Sequence, residues 1–479
     1  MAGTGHGVDF EVTASGVQII DAVLAGSVWT DTTVTFSFPD SSSDYIDYGT
    51  SEPDGVIPLT AQMKSAARFV LDKDDGNSAN DGFSIEGFTA LTVDYVTSTG
   101  AHLRLAQTSE DPFGYNTAWG GNPWWNPEAG DVWFHTEVYD YTNPKPGAHN
   151  WRTHLHELGH AMGLKHGHAD EGTGYGALPE GMDSYEYSVM TYRSHPGADL
   201  ATHYGEWSAP QSYMIADIAA LQYLYGADYD TNAGNTTYAW TPGSVDTRVD
   251  GAVAISPGGD VILATIWDGG GVDTYDLSAY SSALMLDLRP GEHSRFSETQ
   301  RAWLGDDYYA RGNIFNALLF EGDKRSLIEN ATGGSGNDKI TGNEAANKLL
   351  GGAGRDLLKG LEGKDLLKGG GGKDKLLGGS GTDQLDGGKG RDQMTGGGGK
   401  DKFVFKKGYG KDTIKDFQDD KDTIQLDDAL WNGSFNKQKV INKFAKVVGD
   451  DIIFDFGKHE LKIKGFSDLA ELKDDLNFI

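Results

Sequence analysis

The chain has no cysteine among its 479 residues. Without thiols it cannot have a disulfide framework, a thiolate metal site, a catalytic cysteine, or a zymogen form held inactive by a propeptide cysteine. Any metal must therefore bind to histidine, carboxylate, tyrosine or backbone oxygen. Long apolar runs are also missing, because the apolar stretch around Val17–Val28 is interrupted by Gln18 and Asp21. We expect no transmembrane segment and no membrane anchor.

Positive charge is scarce, since 40 Lys and Arg stand against 71 Asp and Glu, a formal net charge of −31. We expect no nucleic-acid partner, because binding a polyanion requires a basic surface. The imbalance lies before residue 323: residues 1–322 contain 44 acidic and 13 basic residues, whereas residues 323–479 contain 27 of each. This asymmetry, together with the length of the chain, predicts two units of different character.

Residues 333–404 form eight consecutive nonapeptides, of which GGAGRDLLK and GGSGTDQLD are typical. The glycines permit tight turns, and the apolar residue two places after the Asp can fill a core between stacked strands. Calcium prefers about six to eight oxygen ligands, which such turns offer as carboxylates and carbonyls. Because Asp stays in register in seven of the eight units, the pattern favours a calcium-binding parallel β-roll over a flexible linker. The expected calcium ligands in the repeats are Gly334, Gly336, Asp338, Gly352, Gly354, Asp356, Asp365, Gly370, Gly372, Asp374, Gly379, Gly381, Asp383, Gly388, Gly390, Asp392, Gly397, Gly399 and Asp401.

The segment HELGHAMGLKH, from His156 to His166, predicts a catalytic metal centre. In a helix, residues four apart lie one turn above each other, so His156 and His160 can bind one ion. Gly163 can adopt the left-handed conformation that ends the helix, which brings His166 round as a third ligand. Three imidazoles leave a coordination position open, an arrangement typical of catalytic zinc.

Glu157 directly follows the first ligand, where its carboxylate can act as general base toward a water activated by the metal. A bare HExxH motif also occurs on helices that bind no metal. The eleven-residue form, followed by a methionine-containing turn at Tyr187–Tyr192, favours a zinc peptidase. His154 and His168 lie outside the ligand spacing, so we expect them to be solvated or hydrogen-bonded.

The combination of HELGHAMGLKH, SVMTY and calcium nonapeptides resembles the serralysin family of metzincin zinc proteases. The resemblance extends from Gly26–Asp40 through GDVWF at Gly130–Phe134 to the C-terminal FVF and DTIQL segments. It implies that Met190 forms the hydrophobic floor beneath the zinc. It also implies that Tyr192 is a switchable fifth zinc ligand that swings away to stabilise the oxyanion.

The resemblance further implies calcium binding ahead of the repeats, in the segments WDGGGVDT and IEN. An ordinary glycine-rich hairpin is the alternative for the first of these segments. The implied ligands are Asp268, Gly270, Gly271, Asp273 and Glu329.

We expect an α+β fold class, with a metzincin catalytic domain containing a mixed sheet and an active-site helix, followed by an all-β parallel β-roll. The predicted domains are an N-terminal extension or propeptide remnant at 1–16, the zinc metalloprotease domain at 17–240, and a C-terminal β-roll or β-sandwich domain at 241–479. Alternating and helical patterns predict strands at Val34–Phe38, Leu91–Val96 and His102–Ala106, and helices near Leu59–Leu71, Thr153–Leu164 and Tyr213–Tyr225.

The N-terminal sequence MAGTGHGVDF has neither a positively charged start nor an apolar region, so no cleaved secretory signal is expected. The family resemblance implies type I secretion through an ABC exporter, directed by an uncleaved C-terminal signal. The end of the chain, Asp474–Ile479, resembles such a signal, with a frayed amphipathic end as the alternative. We therefore expect an extracellular monomer that hydrolyses protein and peptide substrates with broad specificity, and a proteinaceous inhibitor stays open as a further partner.

Extended substrate should bind along a sheet edge, for which Gly114–Trp119 is our candidate. The loops that decide specificity include the segment between His168 and Tyr187 and the loop at Trp124–Trp125. Two other interpretations stay open. One is a different metzincin, such as an astacin or a matrixin, and the other is a calcium-dependent adhesion protein with an inert protease-like domain.

The neutral charge of residues 323–479 departs from the strongly acidic calcium domains that are usual in the family. Basic residues stand directly before several of the repeat Asp residues and can offset carboxylate repulsion. We predict a calcium-driven folding switch that is less steep than the family's. These basic residues are Arg355, Lys364, Lys373, Arg391 and Lys400.

Overall fold

Residues 6–45, 55–110, 117–124 and 126–479 are described by a computed structural model, in which the chain forms two compact units. The first unit comprises Met1–Gly234, Ser244–Gly271 and Glu298–Ser326, and the second comprises Asn235–Gly243, Val272–Ser297 and Leu327–Ile479. The predicted border at residue 240 lies inside the stretch where the chain first enters the second unit. The chain then returns twice to the first unit.

In chain order, the α-helices are α1 (Gln18–Asp21), α2 (Ala61–Leu71), α3 (Ile85–Phe88), α4 (His149–Ala161), α5 (Ile215–Tyr225), α6 (Lys437–Phe444) and α7 (Leu472–Asp475). The strands before the repeats are β1 (Val8–Asp9), β2 (Val28–Trp29), β3 (Thr33–Ser37), β4 (Val56–Ile57), β5 (Thr92–Tyr95), β6 (Leu103–Thr108), β7 (Trp119–Gly120), β8 (Asp131–His135), β9 (Thr237–Ala239), β10 (Thr247–Val249), β11 (Ala252–Ile255), β12 (Ala264–Ile266), β13 (Thr274–Asp276), β14 (Met285–Asp287), β15 (His293–Ser294), β16 (Trp303–Gly305), β17 (Tyr308–Tyr309), β18 (Ile314–Asn316) and β19 (Asn330–Thr332). The remaining strands are β20 (Lys339–Thr341), β21 (Lys348–Gly354), β22 (Leu357–Gly363), β23 (Leu366–Gly372), β24 (Lys375–Gly381), β25 (Gln384–Gly390), β26 (Gln393–Gly399), β27 (Lys402–Phe405), β28 (Lys411–Ile414), β29 (Thr423–Leu426), β30 (Ala445–Val448), β31 (Asp451–Asp455), β32 (Glu460–Ile463) and β33 (Leu476–Phe478).

The main sheet of the first unit has the strand order β5-β3-β6-β8-β7. Strands β3, β5, β6 and β8 run parallel, whereas β7 pairs antiparallel with β8 and β4 pairs antiparallel with β6. Every residue of β6 and β8 is buried, as expected for central strands covered on both faces. Strands β3, β5 and β6 lie where the alternating pattern predicts strands.

Helix α4 contains most of the histidine motif and is buried from Trp151 to Ala161. Trp151 contacts Phe69 of α2 edge-on, with ring centroids 5.0 Å apart, and its indole N–H donates to the carbonyl of Gln211 at 3.0 Å. Near the other end of α4, the indole N–H of Trp29 donates to the carbonyl of Ala161 at 2.9 Å. Two buried indole groups therefore hold the helix in place.

Two parallel sheets build most of the second unit. In the repeats, hydrogen-bonded partners lie 18 residues apart, which is two nonapeptides, so that Leu349 pairs with Leu367 and Leu367 with Leu385. These leucines are fully buried and form a ladder of apolar side chains within the stack. The long parallel sheets are consistent with the predicted β-roll. The repeat Asp is also buried in each repeat that has one.

The last residues of the chain belong to the second unit. Strand β33 pairs parallel with β29, and Leu476 is buried, so this end is not frayed. Within the described part of the chain, none of the helices combines the length and the apolarity that a membrane span requires.

Candidate metal centre and active site

Three imidazoles converge at the C-terminal end of α4. The Nε2 atom of His160 lies 3.2 Å from Nε2 of His156 and 3.2 Å from Nε2 of His166. Gly163, at φ +98°, ends the helix and lets the chain turn back, and a Cβ there would lie 2.5 Å from the carbonyl oxygen of Ser27. A tetrahedral zinc with bonds of about 2.0–2.1 Å holds its ligand atoms about 3.3 Å apart. The observed spacing therefore fits one zinc ion shared by the three histidines.

Each of these imidazoles is oriented by a partner on its other nitrogen. His156 Nδ1 lies 2.9 Å from the carbonyl oxygen of Val189, and His160 Nδ1 lies 2.8 Å from that of Leu164. His166 Nδ1 contacts the carboxylate of Glu171. Partners that accept the Nδ1 proton leave the Nε2 lone pair available for a metal. Burial lowers the pKa of His160 to about 4, which keeps this side chain in the neutral form that metal binding requires.

Glu157 lies on α4 between the two helical ligands and is only 6% exposed. Burial raises the pKa of Glu157 to about 8, while the charge of Arg152 and a hydrogen bond from the Gly120 amide act in the opposite direction. Gly120 belongs to β7, and a Cβ there would collide with the backbone oxygen of Glu157. The glycine thus allows the edge strand to approach the helix directly beside the candidate general base.

The turn around Met190 is held by a buried carboxylate from α5. Asp217 accepts hydrogen bonds from the Ser188 hydroxyl at 2.6 Å and from the Val189 amide at 2.8 Å. Met190 is fully buried, and a Cβ on Gly159 would lie 2.6 Å from its sulfur. Met190 therefore packs against the helix between the two histidine ligands.

Tyr192 follows this turn and borders the histidine cluster. Its hydroxyl lies 2.8 Å from Nε2 of His166, and its ring centroid lies 5.5 Å from that of His156. The residue is 37% exposed, so it lies between the cluster and the solvent. His168 contacts the Tyr192 ring without joining the cluster, and His154 stacks on Phe134 and bonds to the carbonyl of Asn150.

Six of the seven repeat carboxylates have one bonded oxygen and one oxygen without a hydrogen-bond partner among the described residues, whereas both oxygens of Asp338 accept backbone amides. Oδ1 of Asp374 accepts the amide of Asp356 at 2.9 Å, and the same contact recurs every 18 residues. Burial raises the pKa of Asp356 to about 7 and that of Asp374 to about 6. The Oδ2 atoms without a hydrogen-bond partner belong to Asp356, Asp365, Asp374, Asp383, Asp392 and Asp401.

Backbone carbonyls surround these unbonded oxygens. A Cβ on Gly351 would lie 2.5 Å from Oδ2 of Asp356 and 2.6 Å from the carbonyl oxygen of Gly369. The carbonyls of the predicted ligands Gly334 and Gly336 face Gly352 and Gly354 one turn later, and this relation recurs along the stack. Buried carboxylate oxygens beside carbonyls form a donor set that fits calcium.

The five residues implied as calcium ligands ahead of the repeats fall in both units. Asp268, Gly270 and Gly271 lie in the first, where Oδ1 of Asp268 accepts the Gly270 amide at 2.8 Å. Asp273 and Glu329 lie in the second, where Oε2 of Glu329 accepts the Asp273 amide at 2.7 Å. All three carboxylates are buried.

Comparison with known proteins identifies the family. Residues 227–467 match the family model described as "Peptidase M10 serralysin C terminal". The chain belongs to the serralysin family. This serralysin-family chain is 38% identical to Serralysin C of Dickeya chrysanthemi over 219 residues, which are 44% of this chain and 40% of that protein. It is 34% identical to Metallopeptidase AprA of Pseudomonas marginalis over 218 residues, which are 44% of this chain and 41% of that protein.

The matched stretch thus spans about two fifths of the length of these curated relatives. Among solved structures, the extracellular lipase LipA of Serratia marcescens matches with a TM-score of 0.22 and 18% identity. That match covers 44% of this chain and 36% of the lipase, and it is too weak to indicate a shared fold.

Sequence reasoning missed three charged residues at the centre of this serralysin-family chain. Glu171 anchors His166 from a turn with a positive φ, for which the sequence has no recognisable signal. Arg152 donates to the carbonyl of Val189, the same group that anchors His156. Lys165 is buried, and its ammonium donates to the carbonyls of Ala22, His166, Ala169 and Gly176. A lysine inside the apolar part of the motif was the only available hint of such a buried cation.

Two segments predicted to contact substrate are only partly described. In the candidate substrate edge Gly114–Trp119, residues 114–116 lie outside the described residues, and β7 begins at Trp119. In the loop at Trp124–Trp125, Trp125 lies outside them. Residues 1–5 of the expected N-terminal extension also lie outside the described residues.

Proposed function

We propose that this chain is a secreted zinc-dependent endopeptidase with a metzincin catalytic domain, which hydrolyses peptide bonds in protein substrates. The observation that supports it most strongly is the cluster of His156, His160 and His166, with Glu157 buried beside it. Membership of the serralysin family and metallopeptidase relatives add independent support.

The three histidines would hold one zinc ion through their Nε2 atoms. When bound, zinc supplies Lewis-acid polarisation of the scissile carbonyl and makes water easier to deprotonate. Glu157 takes a proton from the attacking water and returns it to the amine nitrogen that leaves. Its burial favours this role, because a carboxyl with a raised pKa both accepts and releases a proton near neutral pH.

Tyr192 stabilises the negative charge that develops on the carbonyl oxygen. Its hydroxyl is within hydrogen-bond distance of the histidine cluster and is exposed enough to change partner as the substrate reacts. Burial and the nearby Glu157 raise the pKa of Tyr192 to about 12, so the hydroxyl keeps its proton and can donate it.

Substrate binds in extended form along β7. This strand pairs with β8 at the edge of the main sheet, and its Gly120 contacts the helix residue Glu157. An added peptide strand would be held by main-chain hydrogen bonds, which do not depend on side-chain identity. Such binding accounts for broad specificity.

Calcium would stabilise the second unit. The buried carboxylates of the repeats and the five residues ahead of them serve as ligands, because each unbonded oxygen needs a cation or a proton when it is removed from water. We also propose type I secretion through an ABC exporter as a monomer, in keeping with the resemblance at Asp474–Ile479.

Casein hydrolysis by calcium-loaded wild type and by Glu157→Ala tests the proposed function, with the zinc content measured on both proteins. We expect active wild type, and a variant that keeps zinc but loses about two orders of magnitude or more in rate. Glu180→Ala, which removes an exposed carboxylate, is the matched control and should stay active. A zinc-loaded wild type that cuts nothing would favour the inert, calcium-dependent adhesion protein instead.

A further inference from the structure

A cavity of about 860 Å³ in the first unit lies beside Tyr192 and reaches the helix residue Arg152. Two aromatic rings, those of Tyr185 and Tyr204, also line it and meet edge to face with centroids 5.1 Å apart. Since Tyr192 touches the histidine cluster, a peptide held at that cluster has this cavity within reach of its neighbouring residues.

Arg152 lies at the inner end of this cavity and is only 6% exposed. One of its terminal nitrogens donates to the carbonyls of Val189 at 3.2 Å and Thr191 at 3.4 Å. The Tyr204 hydroxyl lies 3.0 Å from Nδ1 of His149, and the central carbon of the guanidinium lies 4.9 Å from the centroid of the Tyr185 ring. The Nε–H of Arg152 is buried and has no hydrogen-bond partner in the part of the chain that the structure describes.

No carboxylate among the described residues lies within 4 Å of the Arg152 guanidinium, whose partners are two carbonyls and an aromatic face. A buried charge without a counter-ion is costly, and proteins generally pair one. The cation is oriented by the Tyr185 ring and two carbonyls, and its charge also acts on the buried Glu157, but it forms no salt bridge with the described residues.

The other titratable residues of the cavity do not supply the missing negative charge at its inner end. Burial lowers the pKa of His149 to about 4, so this residue is neutral. The acidic residues Asp140 and Glu206 are exposed, as is Lys145, so solvent screens all three. The inner end of the cavity is therefore positive, whereas the chain as a whole is strongly negative.

We propose that Arg152 is a specificity-determining residue, which binds a carboxylate of the peptide substrate and directs cleavage to bonds near that carboxylate. The inference rests on the proposed endopeptidase function and names a substrate class for it. A guanidinium and a carboxylate match as planar groups and form charge-assisted hydrogen bonds, which are strongest where water is excluded. The carboxylate comes from an acidic side chain or from the C-terminus of the peptide, since both offer the same chemistry.

Two sets of peptides test this inference with the calcium- and zinc-loaded full chain. The first set has amidated C-termini and compares Glu with its isostere Gln at each position around the cleaved bond. The second set is neutral in its side chains and compares free with amidated C-termini. We expect wild type to prefer the carboxylate peptide about tenfold or more in kcat/KM at one position of one set. The set that shows the preference identifies the source of the carboxylate.

The ratio of kcat/KM for the carboxylate peptide to kcat/KM for its neutral counterpart measures this preference. Arg152→Gln should bring the ratio close to one. The variant should still cleave the neutral peptide, because Gln keeps one donor for the Val189 carbonyl. Arg152→Lys should keep part of the ratio, since it keeps the charge and loses the planar geometry. Lys145→Gln is the matched control, because it removes an exposed charge from the same cavity and should change the ratio less than about twofold. Peptide dissociation constants, measured with Glu157→Gln added to each protein so that no peptide is cleaved, should rank wild type and the Arg152 variants in the same order of preference for the carboxylate peptide.

Several outcomes would overturn the inference. A wild-type ratio near one at every position of both sets would do so, even if both Arg152 variants failed to fold. A ratio unchanged in Arg152→Gln would do so as well. If Arg152→Gln lost zinc while peptide binding to the zinc-loaded wild type showed no preference for the carboxylate, Arg152 would be a positioning residue for the metal centre. If wild type cut no peptide at all, the proposed function itself would fail, and this inference with it.

Discussion

Replacing Glu171 by Gln should weaken zinc binding about tenfold without unfolding the protein. The Glu171 carboxylate accepts from Nδ1 of His166, whereas His156 and His160 are anchored by backbone carbonyls that the change leaves intact. Removing such an anchor typically lowers metal affinity ~10–100-fold, which is ~1.4–2.7 kcal/mol. The Glu171 side chain is 36% exposed, so water can replace part of the contact, and we expect the lower end of this range.

Competition with a chromophoric zinc chelator, on calcium-loaded protein, measures this change. Glu180→Gln is the control, because Glu180 is exposed in the same loop and does not contact the histidines. At saturating zinc the Glu171→Gln variant should recover most of its activity, since Glu157 and Tyr192 are unchanged. Zinc affinity equal to that of wild type would refute the assignment of Glu171 as an anchor, and so would an equal loss in the control.

Three further predictions concern stability. Lys165→Met should lower the free energy of unfolding by about 3–5 kcal/mol in a denaturant titration, because four carbonyls lose their common donor. A change below about 1 kcal/mol would contradict it. Burial raises the pKa of Asp72 to about 7, so the folded state binds this proton more tightly than the unfolded state, and the contribution of Asp72 to stability falls as pH rises from about 4 to 7. Asp72→Asn should therefore be more stable than wild type at pH 8 by roughly 2–4 kcal/mol and similar to it near pH 4, and an unchanged pH dependence of the melting temperature would count against this. Calcium titrations of the full chain, followed by circular dichroism, should show weaker binding below pH 6, because burial raises the pKa of Asp374 and Asp401 to about 6 and protonation competes with calcium there. We also predict a calcium-driven folding switch that is less steep than the family's. A second unit that is fully unfolded without calcium and folds in an all-or-none transition when calcium is added would disprove this prediction.

The parts that sequence predicted well are those determined by local spacing. The i and i+4 positions of a helix bring His156 and His160 together, and the glycine three residues later lets the chain turn to His166. The nonapeptide period likewise specifies the 18-residue register of the parallel sheets, because each repeat is too short to bury its apolar side chain alone. Both patterns can be recognised from sequence because they depend on the spacing of residues that are close together in the chain.

The parts that sequence could not predict depend on contacts between distant segments. Asp217 holds the turn at Met190 from a helix that begins 25 residues later, and nothing in its neighbourhood distinguishes it from a solvated acid. The same limitation applies to the two units, because the chain crosses between them several times and each crossing depends on tertiary packing. The lone charge of Arg152 is invisible in sequence, since only the structure shows that no carboxylate of the described residues lies beside it.

The charges of the repeats are compatible with the proposed calcium dependence, although the domain is neutral overall. Asp356 and Asp374 are buried, whereas the basic residues that precede them, Arg355 and Lys373, are exposed. Water screens an exposed cation, so it offsets only part of the desolvation of a buried carboxylate. In the unfolded chain both groups are solvated, and the basic residues reduce the repulsion that would otherwise expand it. The lysines should therefore act mainly on the unfolded state, which becomes less expanded, while the unbonded Oδ2 atoms would still need a proton or the proposed calcium in the folded state.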